Sequence, residues 1–181
     1  MEERSDAELL TELQGGAASA FDALYQRYRA RLFSFLARMT GRRDVAEELL
    51  QETWLRLATR APELRPGSDV KPWLFTVARN LATSHLRWRL IDRERMSRLG
   101  LWPGHGAETP FDTASASESE RRLEIGLSAL PPAYREALLL VAVEQMEPAA
   151  AAAVIGVRPD AFRKRLERAR ALLAERMQEG R

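Results

Sequence analysis

The stretch Gly156-Val157-Arg158-Pro159-Asp160-Ala161-Phe162-Arg163-Lys164-Arg165-Leu166-Glu167-Arg168-Ala169-Arg170 decides how this chain of 181 residues is read. A glycine follows the short alanine-rich helix of Ala149–Ala153, and a proline opens a second helix with five basic residues between 163 and 170. Counting Pro148 as the first helical position, Ala152 is the fifth and Gly156 the ninth. A small fifth residue lets the two helices approach, and a ninth glycine permits a left-handed turn between them. Ala151, Ile155, Val157, Phe162 and Leu166 supply the core, while Arg163, Lys164, Glu167 and Arg168 project outward. The layout is that of a helix-turn-helix whose second helix reads the DNA major groove.

The bulk composition fits a helical protein. Ala, Leu, Arg and Glu dominate, 45% of residues are hydrophobic, and no run alternates as a strand would. The net charge is +2 and the isoelectric point about 9.4; of 28 basic residues only Lys71 and Lys164 are Lys. Arginine suits phosphates and base edges because its planar fork binds two acceptors at once. It decorates helix surfaces equally well, so composition alone leaves both readings open. The chain has no Cys, which excludes disulfides, zinc–thiolate sites and a catalytic thiol. With His85 and His105 alone, neither a metal cluster nor a Ser/His triad can be assembled, and no catalytic residue, cofactor or small-molecule substrate is expected. The acidic start Met1-Glu2-Glu3-Arg4-Ser5-Asp6 is no signal peptide, and the apolar runs near 137–143 and 149–157 are too short to span a bilayer. A cytoplasmic protein without membrane insertion is expected.

Periodicity and breakers predict an all-α chain of two small helical domains, 1–95 and 118–181, joined by a flexible linker at 96–117. Helices are predicted near 6–14, 17–39, 43–59 and 72–95, then near 118–128, 132–143, 148–155 and 159–177. Asp44 is a candidate N-cap for the third helix, and Pro72 suits the first turn of the fourth. The linker holds Gly104-His105-Gly106, which lacks the strand and helix that a phosphate loop requires.

Two more surfaces stand out. On the third helix Asp44, Glu47, Glu48, Gln51 and Glu52 share one face, opposite Ala46, Leu49, Leu50, Thr53 and Leu57, and Leu55 projects from the acidic side. An acidic face with one exposed leucine suits a basic protein partner; an ordinary solvated helix is the competing reading. On the fourth helix Trp73, Leu74, Val77, Ala78, Leu81 and Trp88 form the expected buried stripe. Thr76, Arg79, Asn80, Thr83 and Arg87 line another face, and Arg89, Arg93, Arg95 and Arg98 continue the basic character. Such a row offers phosphate contacts and base-reading groups, as single-stranded or melting DNA requires.

In this order the segments resemble a bacterial extracytoplasmic function (ECF) sigma factor of the sigma-70 family. The matching stretches are Ala46-Glu47-Glu48-Leu49-Leu50-Gln51-Glu52-Thr53-Trp54-Leu55-Arg56, Lys71-Pro72-Trp73-Leu74-Phe75-Thr76-Val77-Ala78-Arg79-Asn80-Leu81-Ala82, Leu127-Ser128-Ala129-Leu130-Pro131 and Arg163-Lys164-Arg165-Leu166-Glu167-Arg168-Ala169-Arg170. The resemblance covers about 20–95 and 120–177, as a sigma2-like bundle and a sigma4-like helix-turn-helix. It implies that Asp44, Glu47, Glu48, Gln51, Glu52, Trp54 and Leu55 dock on the β′ clamp helices of core RNA polymerase, with the β flap as a further contact. It implies that Lys71, Trp73, Thr76, Arg79, Asn80, Thr83 and Arg87 engage the −10 element, and that Arg158, Arg163, Lys164, Glu167 and Arg168 engage the −35 element. The function implied is promoter-specific transcription initiation with assisted melting, in which unstacking a flipped base is offset by pocket and phosphate contacts. An anti-sigma factor covering the polymerase-binding surfaces is a further partner that the resemblance implies.

The chain departs from the family pattern at Ser84, where an acid is usual, at Ala150-Ala151 in place of Glu-Ile, and at Asp160-Ala161-Phe162 in place of Gly-Thr-Val. Loss of the threonine hydroxyl removes a phosphate contact, Asp160 brings a charge that repels the backbone, and Arg158 is a poor N-cap. The chain ends soon after the helix-turn-helix, so no appended regulatory domain is expected. Two other functions compete: a stand-alone helix-turn-helix regulator and a helical adaptor that binds no DNA. The first leaves the acidic and Trp-Leu helices without a role, and dependence on polymerase separates it from a sigma factor.

Overall fold

Capping boxes start both halves of the chain. In this computed structural model, which describes residues 4–65, 67–98 and 117–179, helix α1 (Asp6–Gln14) begins where Ser5 Oγ accepts from the Glu8 amide and the Glu8 carboxylate accepts from the Ser5 amide. The hydrogen bonds from Ser5 hold the Glu8 carboxyl below its ordinary pKa. Ser117 and Glu120 repeat the device at α5 (Glu118–Ala129). Between them lie α2 (Ala18–Thr40), α3 (Arg43–Arg60), a 3-10 turn at Ala61–Glu63 and α4 (Val70–Arg98). After α5 come α6 (Pro132–Leu138), a π-helical turn at Leu139–Val143, α7 (Pro148–Ile155) and α8 (Pro159–Glu179). Every predicted helix is present, and no strand occurs among the described residues. Helix α4 runs three residues past the expected start of the linker; the rest of that linker to residue 116, with Gly104-His105-Gly106, lies outside the described residues, as do the side chains of Arg93 and Arg95.

The N-terminal half packs around α2, which touches α1, α3 and α4. Leu24, Leu32, Phe35 and Leu36 of α2 meet Leu57 of α3 and Leu74, Phe75 and Ala78 of α4 in a core closed to solvent. Phe35 and Phe75 meet edge to face with centroids 5.4 Å apart. In the C-terminal half α8 packs on α5, α6 and α7, burying Leu139, Leu140, Ala151, Phe162, Leu166 and Ala169.

The halves also pack on each other. Helix α7 lies along α4, α6 touches α2, and the buried residues of both halves form one continuous cluster. The cause is visible in α7 itself. Pro148-Ala149-Ala150-Ala151-Ala152-Ala153-Val154-Ile155 carries no charge on any face. A helix apolar all round is stable only if covered on several sides, and α4 covers what α8 leaves.

Three local expectations are corrected. Trp88 is not core: it is 64% exposed, and Leu90 and Ile91 are exposed beside it. The buried stripe of α4 ends at Ala82 with Leu86 half-buried, because the helix then projects beyond the bundle. Phe75, absent from the expected stripe, takes the core place instead. Asp44 does not cap α3; Arg42 is the N-cap, and Asp44, one residue inside the helix, accepts from the Val45 amide and pairs with Arg42, which lowers its carboxyl pKa.

Phe75 is wholly buried, so Phe75→Ala should destabilise the protein by about 3–5 kcal/mol in urea denaturation. A loss below about 1 kcal/mol would contradict a packed aromatic core at this position.

Candidate docking surfaces for polymerase and DNA

The acidic face of α3 is open to solvent. Glu47, Glu48, Gln51 and Asp44 are exposed, Glu52 is half-buried, and Leu55 is 59% exposed among them. Pairs one turn apart tie Glu47 to Arg43 (3.2 Å) and Glu52 to Arg56 (2.8 Å) and hold the carboxylates upright on the helix. Glu48 and Gln51 stand exposed beside the leucine. Trp54 corrects the expected set: it is 5% exposed, with its indole against Tyr25 (5.0 Å) and Phe21 (5.8 Å). Its large apolar area is used inside the bundle, so it supports this surface from beneath and offers no contact to a partner.

On α4 the expected −10 residues divide into two groups. Asn80 and Arg87 are exposed; Trp73, Thr76 and Thr83 are half-buried, the threonine hydroxyls donating to Pro72 O (2.8 Å) and Arg79 O (2.8 Å) one turn back. Lys71 and Arg79 instead face the C-terminal half. Arg79 Nε donates to Glu136 Oε2 (2.9 Å), and Lys71 Nζ to Glu144 O (2.6 Å). Burial and the neighbouring Arg31 lower the pKa of Lys71 against the pull of Glu144. His85 is half-buried with Nε2 enclosed; burial and the nearby Arg89 lower its pKa.

The helix-turn-helix forms as its spacing requires. Gly156 adopts φ 76°, its amide donates to Ala152 O (2.9 Å), and Val157 N donates to the same carbonyl (3.0 Å), so the turn closes on the fifth residue of α7. Arg158, Arg163, Lys164, Glu167 and Arg168 all stand exposed on α8 or at its start. Asp160 pairs with Arg163, which tempers the repulsion expected from it and ties one of the candidate DNA cations to the helix start.

Three residues outside the expected set complete the picture. Glu136, 3% exposed, accepts from Arg79 of α4 and from Arg165 of α8 (3.3 Å). Glu144, 2% exposed, accepts from Arg31 Nε (2.8 Å). Arg135 donates to Leu127 O, Ser128 O and Leu130 O at the end of α5 and to Arg38 O and Met39 O at the end of α2. One guanidinium thus satisfies carbonyls at two helix C-termini, one in each half. One of these three had a legible signal: Glu136 lies three and four residues before Leu139 and Leu140, an acid on an apolar stripe. Among the described residues no group of His, Cys, Asp and Glu could hold a metal ion, and no helix is long and apolar enough to cross a membrane.

An all-α chain with an exposed acidic helix, a polar and cationic helix face and a helix-turn-helix defines a class of DNA-binding factor that also docks on a protein. Residues 24–89 match the model of sigma-70 region 2, and residues 122–173 match that of sigma-70 region 4. The chain is 33% identical over 160 residues to the RNA polymerase sigma factor CarQ of Myxococcus xanthus, spanning 88% of this chain and 90% of that protein. It is 33% identical over 148 residues to the ECF RNA polymerase sigma factor EcfG of Rhodopseudomonas palustris, 79% of this chain and 77% of that one. Among solved structures it resembles the sigma factor RpoE of Bartonella quintana, determined in complex with the anti-sigma factor NepR, with a TM-score of 0.73, 27% identity and coverage of 89% and 98%. The chain belongs to the ECF RNA polymerase sigma factors.

At Gly156 an added Cβ would meet open space, so only the positive φ resists substitution. Gly156→Ala should cost about 1–2 kcal/mol in thermal or urea unfolding. No loss at all would mean that the turn can relax out of the left-handed region.

Proposed function

We propose that this protein binds core RNA polymerase through α3 and directs it to promoters, reading the −10 element with α4 and the −35 element with α8. The single observation that carries the reading is that sigma-70 region 2 and region 4 both match within one chain, in the order that initiation requires. The acidic face around Leu55 supplies the polymerase contact, Glu47, Glu48, Gln51 and Glu52 complementing a basic clamp while the leucine enters an apolar pocket. Asn80 and Arg87, with Lys71, Arg79, Trp73, Thr76 and Thr83, form the −10 surface of the domain at 1–95. Arg163, Lys164 and Arg168, with Arg158 and Glu167, form the −35 surface of the domain at 118–181. The protein contributes binding and base capture; the covalent chemistry belongs to the polymerase. It works in the cytoplasm, where polymerase and promoter are. The relative solved with NepR supports an anti-sigma partner that competes for the same surfaces.

Transcription in vitro with bacterial core polymerase, this protein and a library of genomic fragments tests the reading. Discrete start sites that need both components are the expected outcome; operator binding without any need for polymerase would favour a stand-alone regulator.

Replacing Glu48 and Leu55 together by Ala should weaken binding to core polymerase by at least tenfold, since an exposed apolar anchor with a complementary charge contributes on the order of 1–2 kcal/mol or more. Wild-type affinity in a fluorescence titration would remove α3 from the interface. Replacing Arg163 and Lys164 by Ala should reduce initiation at promoters that depend on the −35 element by about 1–3 kcal/mol per lost base contact, and by less where only phosphates are touched. Unchanged promoter use would take α8 out of that role.

A further inference from the structure

Arg163 on the outward face of α8 has an acid within reach on either side, Asp160 one turn before it and Glu167 one turn after. The guanidinium pairs with Asp160: Arg163 Nη2 donates to Asp160 Oδ1. This turns the fork toward the start of the helix, the end whose residues meet base edges in a helix-turn-helix. Asp160 is 80% exposed and Arg163 66%, so neither is held there by packing. Nor does Asp160 start the helix. Arg158 precedes α8, and its carbonyl accepts from Phe162 N (2.9 Å).

On charge alone Asp160 weakens a DNA-binding face. A carboxylate repels phosphates, and the pairing cancels the charge that Arg163 would otherwise offer the backbone. In water an exposed pair at this spacing contributes almost nothing to stability. Its effect belongs to the groove, where the pair loses water and each hydrogen bond strengthens. Asp160 accepts through one oxygen from Nη2 and leaves the remaining guanidinium N–H groups to donate elsewhere. An arginine already held in one orientation loses less rotamer freedom on contact than one that swings freely. Guanine presents two acceptors, O6 and N7, to such a fork in the major groove. The glycine that the family usually carries at this position has no side chain to hold it.

We propose that Asp160 is a positioning residue for −35 recognition: it sets the Arg163 guanidinium for a bidentate contact to one guanine, so that Arg163 confers base preference in place of phosphate affinity. The proposal rests on the −35 reading of α8 given above. The acid lowers affinity for DNA of every sequence, and a guanine opposite the oriented fork offsets that loss. An unfavourable charge is thereby converted into discrimination.

The test uses the full chain, alone and with bacterial core polymerase. Promoter-length duplexes of random sequence are selected by the parent, Asp160→Ala, Asp160→Asn, Arg163→Ala and the double variant Asp160→Ala/Arg163→Ala, and the bound pools are sequenced. Affinity for one selected and one unselected duplex is then measured as a function of salt. Both residues are exposed, so none of these changes removes a buried contact.

The parent is expected to favour guanine at one position by about 5- to 150-fold, the discrimination of one good bidentate contact. Arg163→Ala should erase the preference at that position alone. Asp160→Ala keeps the arginine, yet should lower the preference about threefold or more as a two-point contact decays toward a single hydrogen bond. The same variant should bind unselected DNA more tightly, with the slope of log K against log salt steeper by about 0.9, the effect of one more phosphate contact. Asp160→Asn should steepen the slope equally but keep the guanine preference, since its amide oxygen still accepts from Nη2. The double variant should match Arg163→Ala at that position. Asp160→Ala with the parental guanine preference, whatever its salt slope, would reduce the acid to a source of repulsion and overturn the proposal. So would a parent without a guanine preference, or Arg163→Ala that retains it. Core-dependent initiation by the parent judges the sigma reading separately. Initiation with a preference indifferent to Asp160 sinks only the positioning role, and an Asp160-dependent guanine preference without initiation sinks only the sigma reading.

Discussion

A carboxylate removed from water must find a cation, and the arrangement of the two halves follows from that constraint. Glu136 and Glu144 are buried in the C-terminal half, and across the boundary Arg79 of α4 pairs with the first carboxylate and Arg31 of α2 with the second. Burying such pairs brings little net stability, because desolvation cancels most of the attraction. Removing one partner is costly, on the order of 3–5 kcal/mol, since it strands the other charge. The pairs therefore specify one docking geometry more than they strengthen it. The attraction itself comes from α7, whose uncharged surface is covered by α8 and α4 together. Arg135 adds a directional pin by satisfying the carbonyl ends of α5 and α2 at once.

An interface dominated by apolar area alone would open reluctantly. One in which paired charges set the geometry opens readily once another source of negative charge, or water, satisfies the cations. The acidic side of α3 lies apart from the seam: Glu48, Gln51 and Leu55 are exposed while the halves are docked.

Much of this was legible in the residues. The spacing of Pro148, Ala152 and Gly156 dictates a helix-turn-helix because only a small residue and a glycine satisfy those two positions, and Gly156 takes the left-handed conformation. The acidic face of α3 was legible because exposed charges obey helical period without interference from packing. Trp54 and Trp88 were not. Both are large aromatic residues on amphipathic helices, and their fates differ because Phe21 and Tyr25 of α2 cover Trp54, while α4 passes beyond the bundle before it reaches Trp88. The cap expected at Asp44 stands two residues earlier, at Arg42, within the tolerance of any helix end.

By itself, then, the sequence determined the all-α class, the helix boundaries to within a few residues and the helix-turn-helix, because these depend on period, turn chemistry and caps, which are local. Only the tertiary structure decided that Lys71 and Arg79 face Glu144 and Glu136, that Arg135 bridges two helix ends and that the two halves share one core. Those facts join residues separated by 57 to 97 positions along the chain. No local rule links residues so far apart. Their pairing is set by which buried charge finds a partner when two apolar surfaces close.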